Sequence, residues 1–98
     1  MARIVWTPKA LDDLESLLSY IAKESPVTAR RFAQKIIQRI DLLAKQPFLG
    51  SYIAEDDTRT YRQIIQGNYR VLYRTDGEMI FVVAIHHAAR LLASDNLE

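Results

Sequence analysis

The residues best suited to chemistry gather near the C-terminal end of this 98-residue chain, in the stretch YRVLYRTDGEMIFVVAIHHAAR from Tyr69 to Arg90. Arg70 stands near the start of one apolar run, and a second run ends in His86, His87 and then Arg90. Arginine is a permanent cation whose planar fork of donors suits oxyanions, but it does not release a proton at neutral pH. Histidine is the side chain that titrates there. Recognition or catalysis is therefore expected where the second run ends and Arg70 can reach it, with Arg62 and Arg74 as further contact residues. Plainer roles compete. Arg62, Arg70 and Arg74 can form surface pairs with Glu78, Asp76 or the acidic segment Glu55-Asp56-Asp57, each pair worth at most ~1 kcal/mol. A histidine at a strand end commonly serves as a hydrogen-bonding cap. If both histidines still lie on the strand they point to opposite faces, so they are not expected to share a metal ion. Neither a metal nor a cofactor is expected.

These side chains need elements to position them. Tyr69, Val71 and Tyr73 alternate with Arg70, Leu72 and Arg74, which reads as a strand. Asp76-Gly77 signals a two-residue hairpin turn into a second strand, Met79 to Ile85. That strand is apolar on both faces, which places it inside a sheet covered on both sides. Tyr61 to Ile65 forms a further strand. A three-residue turn at Gln66-Gly67-Asn68 would set Ile65 opposite Tyr69 and put Arg62 and Ile64 on the face of Arg70 and Leu72; a two-residue turn would reverse that.

Upstream, Arg3 to Trp6 is a short β-prone run. Thr7-Pro8 supplies an N-cap followed by proline at the first helical position. Leu11, Leu14, Leu17, Leu18 and Ile21 follow at helical spacing, with Asp12, Asp13 and Glu15 near the positive helix end. Ser25-Pro26 repeats the start signal for a second helix carrying Ala29, Phe32, Ala33, Ile36, Ile37, Ile40, Leu43 and Ala44 on one stripe, ended by Gln46-Pro47. Two such helices with a short link form an antiparallel hairpin. Phe48 to Thr58 reads as an exposed loop whose acidic cluster is solvated. The expected fold is α+β in the order β-α-α-β-β-β, a small antiparallel-rich sheet packed on an N-terminal helical hairpin. Residues 1–98 form one domain; the tail from about 91 to 98 is expected to be flexible, and Leu97-Glu98 has the character of a cloning scar.

Composition narrows the class. There is no cysteine, which excludes disulfides and thiolate metal sites. No apolar run approaches the ~20 residues of a membrane span and no signal-peptide core is present, so a cytoplasmic protein is expected. The net charge is only +1, whereas proteins that live on nucleic acid or the ribosome usually carry a marked basic excess.

Several motifs, in order along nearly the whole chain, resemble the RelE/ParE superfamily, the toxins of bacterial type II toxin–antitoxin (plasmid stabilisation) modules. They are Trp6-Thr7-Pro8-Lys9-Ala10 with Asp13-Leu14 and Tyr20-Ile21, then Pro47-Phe48-Leu49-Gly50 and Tyr61-Arg62. Tyr69-Arg70-Val71-Leu72-Tyr73-Arg74 and Ile85-His86-His87-Ala88-Ala89-Arg90 complete the set. The resemblance is nearer to ParE-like members. It implies a growth-arresting toxin held inactive by a cognate antitoxin in a hetero-oligomer. ParE-like members poison DNA gyrase without nuclease activity; RelE-like members cleave mRNA on the ribosome.

RNA cleavage next to a 2′-hydroxyl needs a base, cations for the developing phosphorane charge, and an acid for the leaving oxygen. By resemblance Arg70 and Arg90 match arginines that the nucleases use. The lysines of RelE fall near Tyr61 and Gln63, its C-terminal tyrosine near Asn96, and a catalytic His-Tyr pair of other relatives at Ala88-Ala89. His86 and His87 sit two residues away from that pair. The resulting expectation is a ParE-like gyrase inhibitor without catalysis, with Arg62, Arg70, Arg74, His86, His87 and Arg90 meeting target or antitoxin. The alternatives are a RelE-like ribosome-dependent mRNA interferase using Arg70, Arg90 and His86 or His87, and a degenerate antitoxin-binding module with no toxicity.

Overall fold

The computed structural model describes residues 1–90; the expectation of a flexible tail lies outside the described residues. The elements are β1 (Arg3–Trp6), α1 (Pro8–Ala22), α2 (Pro26–Asp41), β2 (Ser51–Tyr52), β3 (Arg62–Gln66), β4 (Tyr69–Thr75) and β5 (Met79–His87). The strands form one mixed sheet in the order β1-β5-β4-β3-β2, with β1 parallel to β5 and the other pairs antiparallel. The α+β reading holds, with β2 as an additional short strand inside the segment expected to be loop.

Both helices begin as their sequences dictate. The Thr7 hydroxyl accepts from the Ala10 N–H and the Ser25 hydroxyl from the Thr28 N–H, each ahead of a proline that needs no partner for its nitrogen. The acids of α1 begin one turn further in than a dipole role requires, and Asp13 is spent elsewhere. The second helix stops before its proline: a single 3₁₀ turn, Leu42–Ala44, tightens its last residues and buries Leu43.

The helical hairpin covers one face of the sheet. Ala10, Ile36, Ile40 and Leu43 meet Ile64, Val71, Tyr73, Ile80, Val82 and Ile85 in the main core. On the other face Ile53 packs with Leu72, Val83 and Ala84, rimmed by Tyr61 and Phe81. The inner strand β5 is thus covered on both sides, as its double-faced apolar sequence requires.

Two turns differ from expectation. Gln66 pairs with Tyr69, so Gly67-Asn68 is a two-residue turn. Gly67 at φ +60° supplies the positive φ that the first turn position of a type II′ hairpin needs. The consequence is a reversed face: Arg62 and Ile64 lie beside Tyr73 and Val71 on the helix side, while Gln63 and Ile65 share the outer face with Leu72 and Arg70. Asp76-Gly77 belongs to a wider connection, because Thr75 pairs with Ile80. The Asp76 carboxylate accepts from the N–H groups of Glu78 and Met79, which satisfies the longer turn without a second left-handed residue.

A bulge in β5 decides where the polar residues go. Leu72 pairs with Ala84 but Tyr73 with Val82, leaving Val83 as the extra residue. Facing therefore slips by one: Val82 and Ile85 both point to the helices, and Val83 and Ala84 to the outer core. His86 consequently emerges on the outer face opposite Arg70, and His87 on the helix side opposite Tyr69.

Candidate functional site

Arg70 is a buried residue, 5% exposed. Its guanidinium forms a fork-to-fork ion pair with Glu55: NH1 donates to Oε1 at 3.1 Å and NH2 donates to Oε2. NH1 also donates to the Gln63 side-chain oxygen at 3.0 Å, and NH2 to the Arg90 backbone carbonyl at 2.6 Å. Only Nε–H is left without a partner among the described residues. The acidic segment is therefore not simply solvated. Glu55 holds Arg70, and the buried Asp56 binds its own loop, accepting from the backbone N–H groups of Thr58, Thr60 and Tyr61 and from the Thr58 hydroxyl. The Thr58 hydroxyl first, then these backbone donors, hold the Asp56 carboxyl below the ordinary aspartate range against the effect of its burial.

His86 lies beside Arg70, with Lys9 Nζ 3.4 Å from its Nε2 and Arg90 NH1 3.5 Å from its Nδ1. Lysine and arginine only donate, and a neutral imidazole has one acceptor nitrogen, so a single one of these contacts can be a hydrogen bond at a time. Burial pushes the imidazole below its ordinary 6.5; Lys9 adds to this, Asp13 opposes it, and Arg90 and Arg70 add again. The ring is thus held neutral at pH 7. Asp13 links the cluster to the fold: its carboxylate accepts from Lys9 Nζ at 3.0 Å and from the Ile85 N–H at 2.9 Å. β1 ends at Trp6, so the Ile85 donor on the β5 edge has no strand partner and the helix supplies one.

A single polar cluster results: Arg70, His86, Lys9 and Arg90, with Glu55, Asp13 and Gln63 around them. It joins Arg70, His86 and Arg90 as their spacing suggests, and leaves out His87, Arg62 and Arg74. Glu55 comes from the acidic segment named as a pairing candidate, but the pair is buried rather than on the surface; Lys9, Asp13 and Gln63 carry no cluster signal of their own in the sequence, although Lys9 and Asp13 stand at the i,i+4 spacing of a helical ion pair. As a chemical device the cluster has cations and a neutral base. Its strongest oxyanion donor is already occupied. Among the described residues no group of three or more histidine, aspartate or glutamate side chains is arranged to hold a metal ion.

The model of the ParE toxin family of type II toxin–antitoxin (parDE) systems matches residues 4–92. The chain belongs to that family. A curated relative, Toxin RelE2 of Caulobacter vibrioides, is 36% identical over 92 residues, covering 93% of this chain and all of the relative. Two solved structures share the ParE-family fold. One is a chromosomal ParDE system from P. aeruginosa, with TM-score 0.71 and 21% identity over 89% of this chain and 96% of that one. The other is the toxin–antitoxin complex RelBE2 of Mycobacterium tuberculosis, with TM-score 0.60 and 20% identity over 88% and 96% of the two chains.

The other two arginines expected at the site of this ParE-family chain, Arg62 and Arg74, pack against the sheet. Arg62 NH1 donates to the carbonyls of Gly50 (2.6 Å) and Phe48 (3.2 Å), and the guanidinium lies 4.1 Å from the Tyr52 ring centroid. It pins the segment that Pro47-Phe48-Leu49-Gly50 begins. The buried Tyr73 hydroxyl does the same from the other side, donating to the Pro47 carbonyl and accepting from the Gly50 N–H, both at 2.8 Å. Burial raises the Tyr73 phenol above its usual range, opposed by the Gly50 bond and by Arg62. Gly50 allows this approach, since a Cβ there would sit 2.5 Å from the Gln63 carbonyl oxygen. Arg74 stacks over Phe81 at 4.2 Å. His87 is exposed and meets the edge of Tyr69, which in turn meets Phe32.

Proposed function

We propose that this ParE-family toxin arrests growth by binding its target rather than by catalysis, that the target is DNA gyrase, and that a cognate antitoxin neutralises it. The observation that carries the reading is the state of Arg70. A nuclease of the related kind needs this arginine on the phosphate, and here its donors are engaged by Glu55, Gln63 and the Arg90 carbonyl. The family match and the low net charge of +1 agree with a gyrase-directed member. The antitoxin is supported by the relatives, solved as a ParDE system and as a RelBE2 toxin–antitoxin complex. Target contact falls to the exposed His87 and Arg90, while Arg70, His86 and Arg62 hold the surface in shape.

The second reading, a ribosome-dependent mRNA interferase, is favoured by one feature: the bulge brings a neutral imidazole, His86, next to Arg70 and Arg90. The name of the Caulobacter relative points the same way. Controlled expression in bacteria, with and without the neighbouring open reading frame, separates the readings. Filamentation with double-strand breaks and intact mRNA is expected. Codon-phased mRNA cuts with intact DNA would replace the gyrase reading with the interferase. The absence of arrest would leave an antitoxin-binding module.

A further inference from the structure

The net charge of +1 conceals a polarised distribution. Helix α2, the 3₁₀ turn that ends it and the Lys45 that caps that turn hold Arg30, Arg31, Lys35, Arg39 and Lys45 against Asp41 alone. Five of the 13 cations and one of the 12 anions fall here, so this segment is net +4 and the rest of the chain net −3. Spacing sets much of that charge in one row. Arg31 and Lys35 stand four apart, Gln38 and Leu42 continue the row, and Lys45 follows, with steps of roughly 4.5–6 Å along the axis. All five are exposed, while the helix turns Ala29, Ile36 and Ile40 to the core. Two grooves adjoin the row. One, of about 530 Å³, is lined by Lys35, Gln38, Arg39, Leu42 and Gln66; the other, of about 330 Å³, by Met1, Gln38, Asp41, Leu42 and Lys45. Arg39 leans toward the β3–β4 turn and donates to the Ile65 carbonyl at 3.3 Å. Among the described residues Arg31, Lys35 and Lys45 pair with no carboxylate, whereas Lys9 and Arg70 are held by Asp13 and Glu55.

Composition decides what such a row fits. The centre of a protein–protein interface is desolvated and depleted of charge, above all of lysine, and the only apolar side chain in this row is Leu42. Arginine, lysine and glutamine are the side chains that meet the phosphates and sugars of nucleic acid. Unpaired cations gain most there, because each phosphate they neutralise releases a condensed counterion. We propose that the exposed row of α2 from Arg31 to Lys45 lies along the phosphate backbone of duplex DNA without reading its sequence. The choice of duplex DNA rests on the gyrase reading, since gyrase holds its substrate as a duplex, and the row then grips the DNA beside the enzyme. This surface is separate from the Arg70 and His86 cluster, which occupies the other face of the sheet.

The test is fluorescence anisotropy of a labelled DNA duplex of about 20 base pairs and arbitrary sequence, titrated with the purified chain at several salt concentrations and without gyrase. Wild type is expected to bind, and more weakly as salt rises. Arg31→Gln/Lys35→Gln should weaken binding about tenfold and reduce the slope of log affinity against log salt by about two. Both positions are exposed and glutamine is a good helix former, so the fold is kept. Arg59→Gln, which removes an exposed cation from the loop over the other face, should leave affinity and slope unchanged. No binding at about 50 mM salt overturns the proposal. An equal loss in Arg59→Gln and in the double variant overturns it too, as does tighter binding to an RNA strand of the same length. Because gyrase is absent, failure here leaves the gyrase reading standing; that reading fails separately, if the toxin leaves gyrase-bound DNA uncut.

Discussion

The two faces of this sheet are built from the same strands and solve different problems. On one face β4 and β5 present Val71, Tyr73, Ile80, Val82 and Ile85 to a helical hairpin, and among the described residues the buried cluster there is apolar but for the Tyr73 hydroxyl. On the other a loop is the cover, the apolar core shrinks to Ile53, Leu72, Val83 and Ala84, and the buried space beyond it holds Arg70 and His86. Regular helices satisfy their own backbone and can bury a wide apolar stripe. A loop of this length brings side-chain carboxylates instead, and these neutralise the charge it covers. The comparison indicates that the hairpin face carries stability and the loop face carries the adjustable chemistry.

If so, damage to the helix face should cost more. Ile36→Ala, at a fully buried position between helix and sheet, is expected to lose about 4 kcal/mol, and Ile53→Ala only about 2 kcal/mol because a loop can settle into the cavity; urea denaturation measures both. Equal losses would remove the distinction. Arg70→Ala breaks the buried ion pair with Glu55 and should cost about 3 kcal/mol, most of it recovered in Arg70→Met/Glu55→Leu, because an apolar pair replaces a buried ion pair with little penalty. Tyr73→Phe leaves the Gly50 N–H and the Pro47 carbonyl without the hydroxyl and is expected to cost about 1.5 kcal/mol in the same assay.

The smallest effect is a pH dependence. His86 titrates below 6.5 in the folded chain, so the unfolded state binds its proton more readily. Stability is then full above pH 6.5 and declines as the pH falls from there through the lower folded value. Thermal unfolding between pH 7.5 and 5 should show this decline in wild type and a flatter profile in His86→Gln. The groups facing the ring, Lys9, Asp13, Arg70 and Arg90, are retained in both. The Asp56 contribution is lost only below its ordinary 3.8 and does not enter that window.

Much of the architecture was legible because it is local. Thr7-Pro8 and Ser25-Pro26 announce their helices, the leucine and isoleucine stripes give the helix faces, and the double-sided apolar run of β5 gives its interior position. The site was legible only in part. Arg70, His86 and Arg90 could be grouped from the strand pattern, but the face each occupies depends on a bulge at Val83 and on whether Gly67-Asn68 closes a two-residue turn. Both are one-residue matters that reverse every side chain beyond them. Glu55 was legible only as one of three acids able to pair with Arg70, because a loop carboxylate finds its cation through tertiary packing and nothing in Glu55-Asp56-Asp57 says which acid turns inward.

On the proposed reading this toxin acts by binding, with the Arg70 fork held by Glu55. The most direct measurement adds the purified chain, free of antitoxin, to DNA gyrase with plasmid DNA and, in parallel, to translating ribosomes with a defined mRNA. Gyrase-dependent cleaved DNA and an intact message are expected. Cleavage of the message on translating ribosomes, with the plasmid untouched, would contradict it.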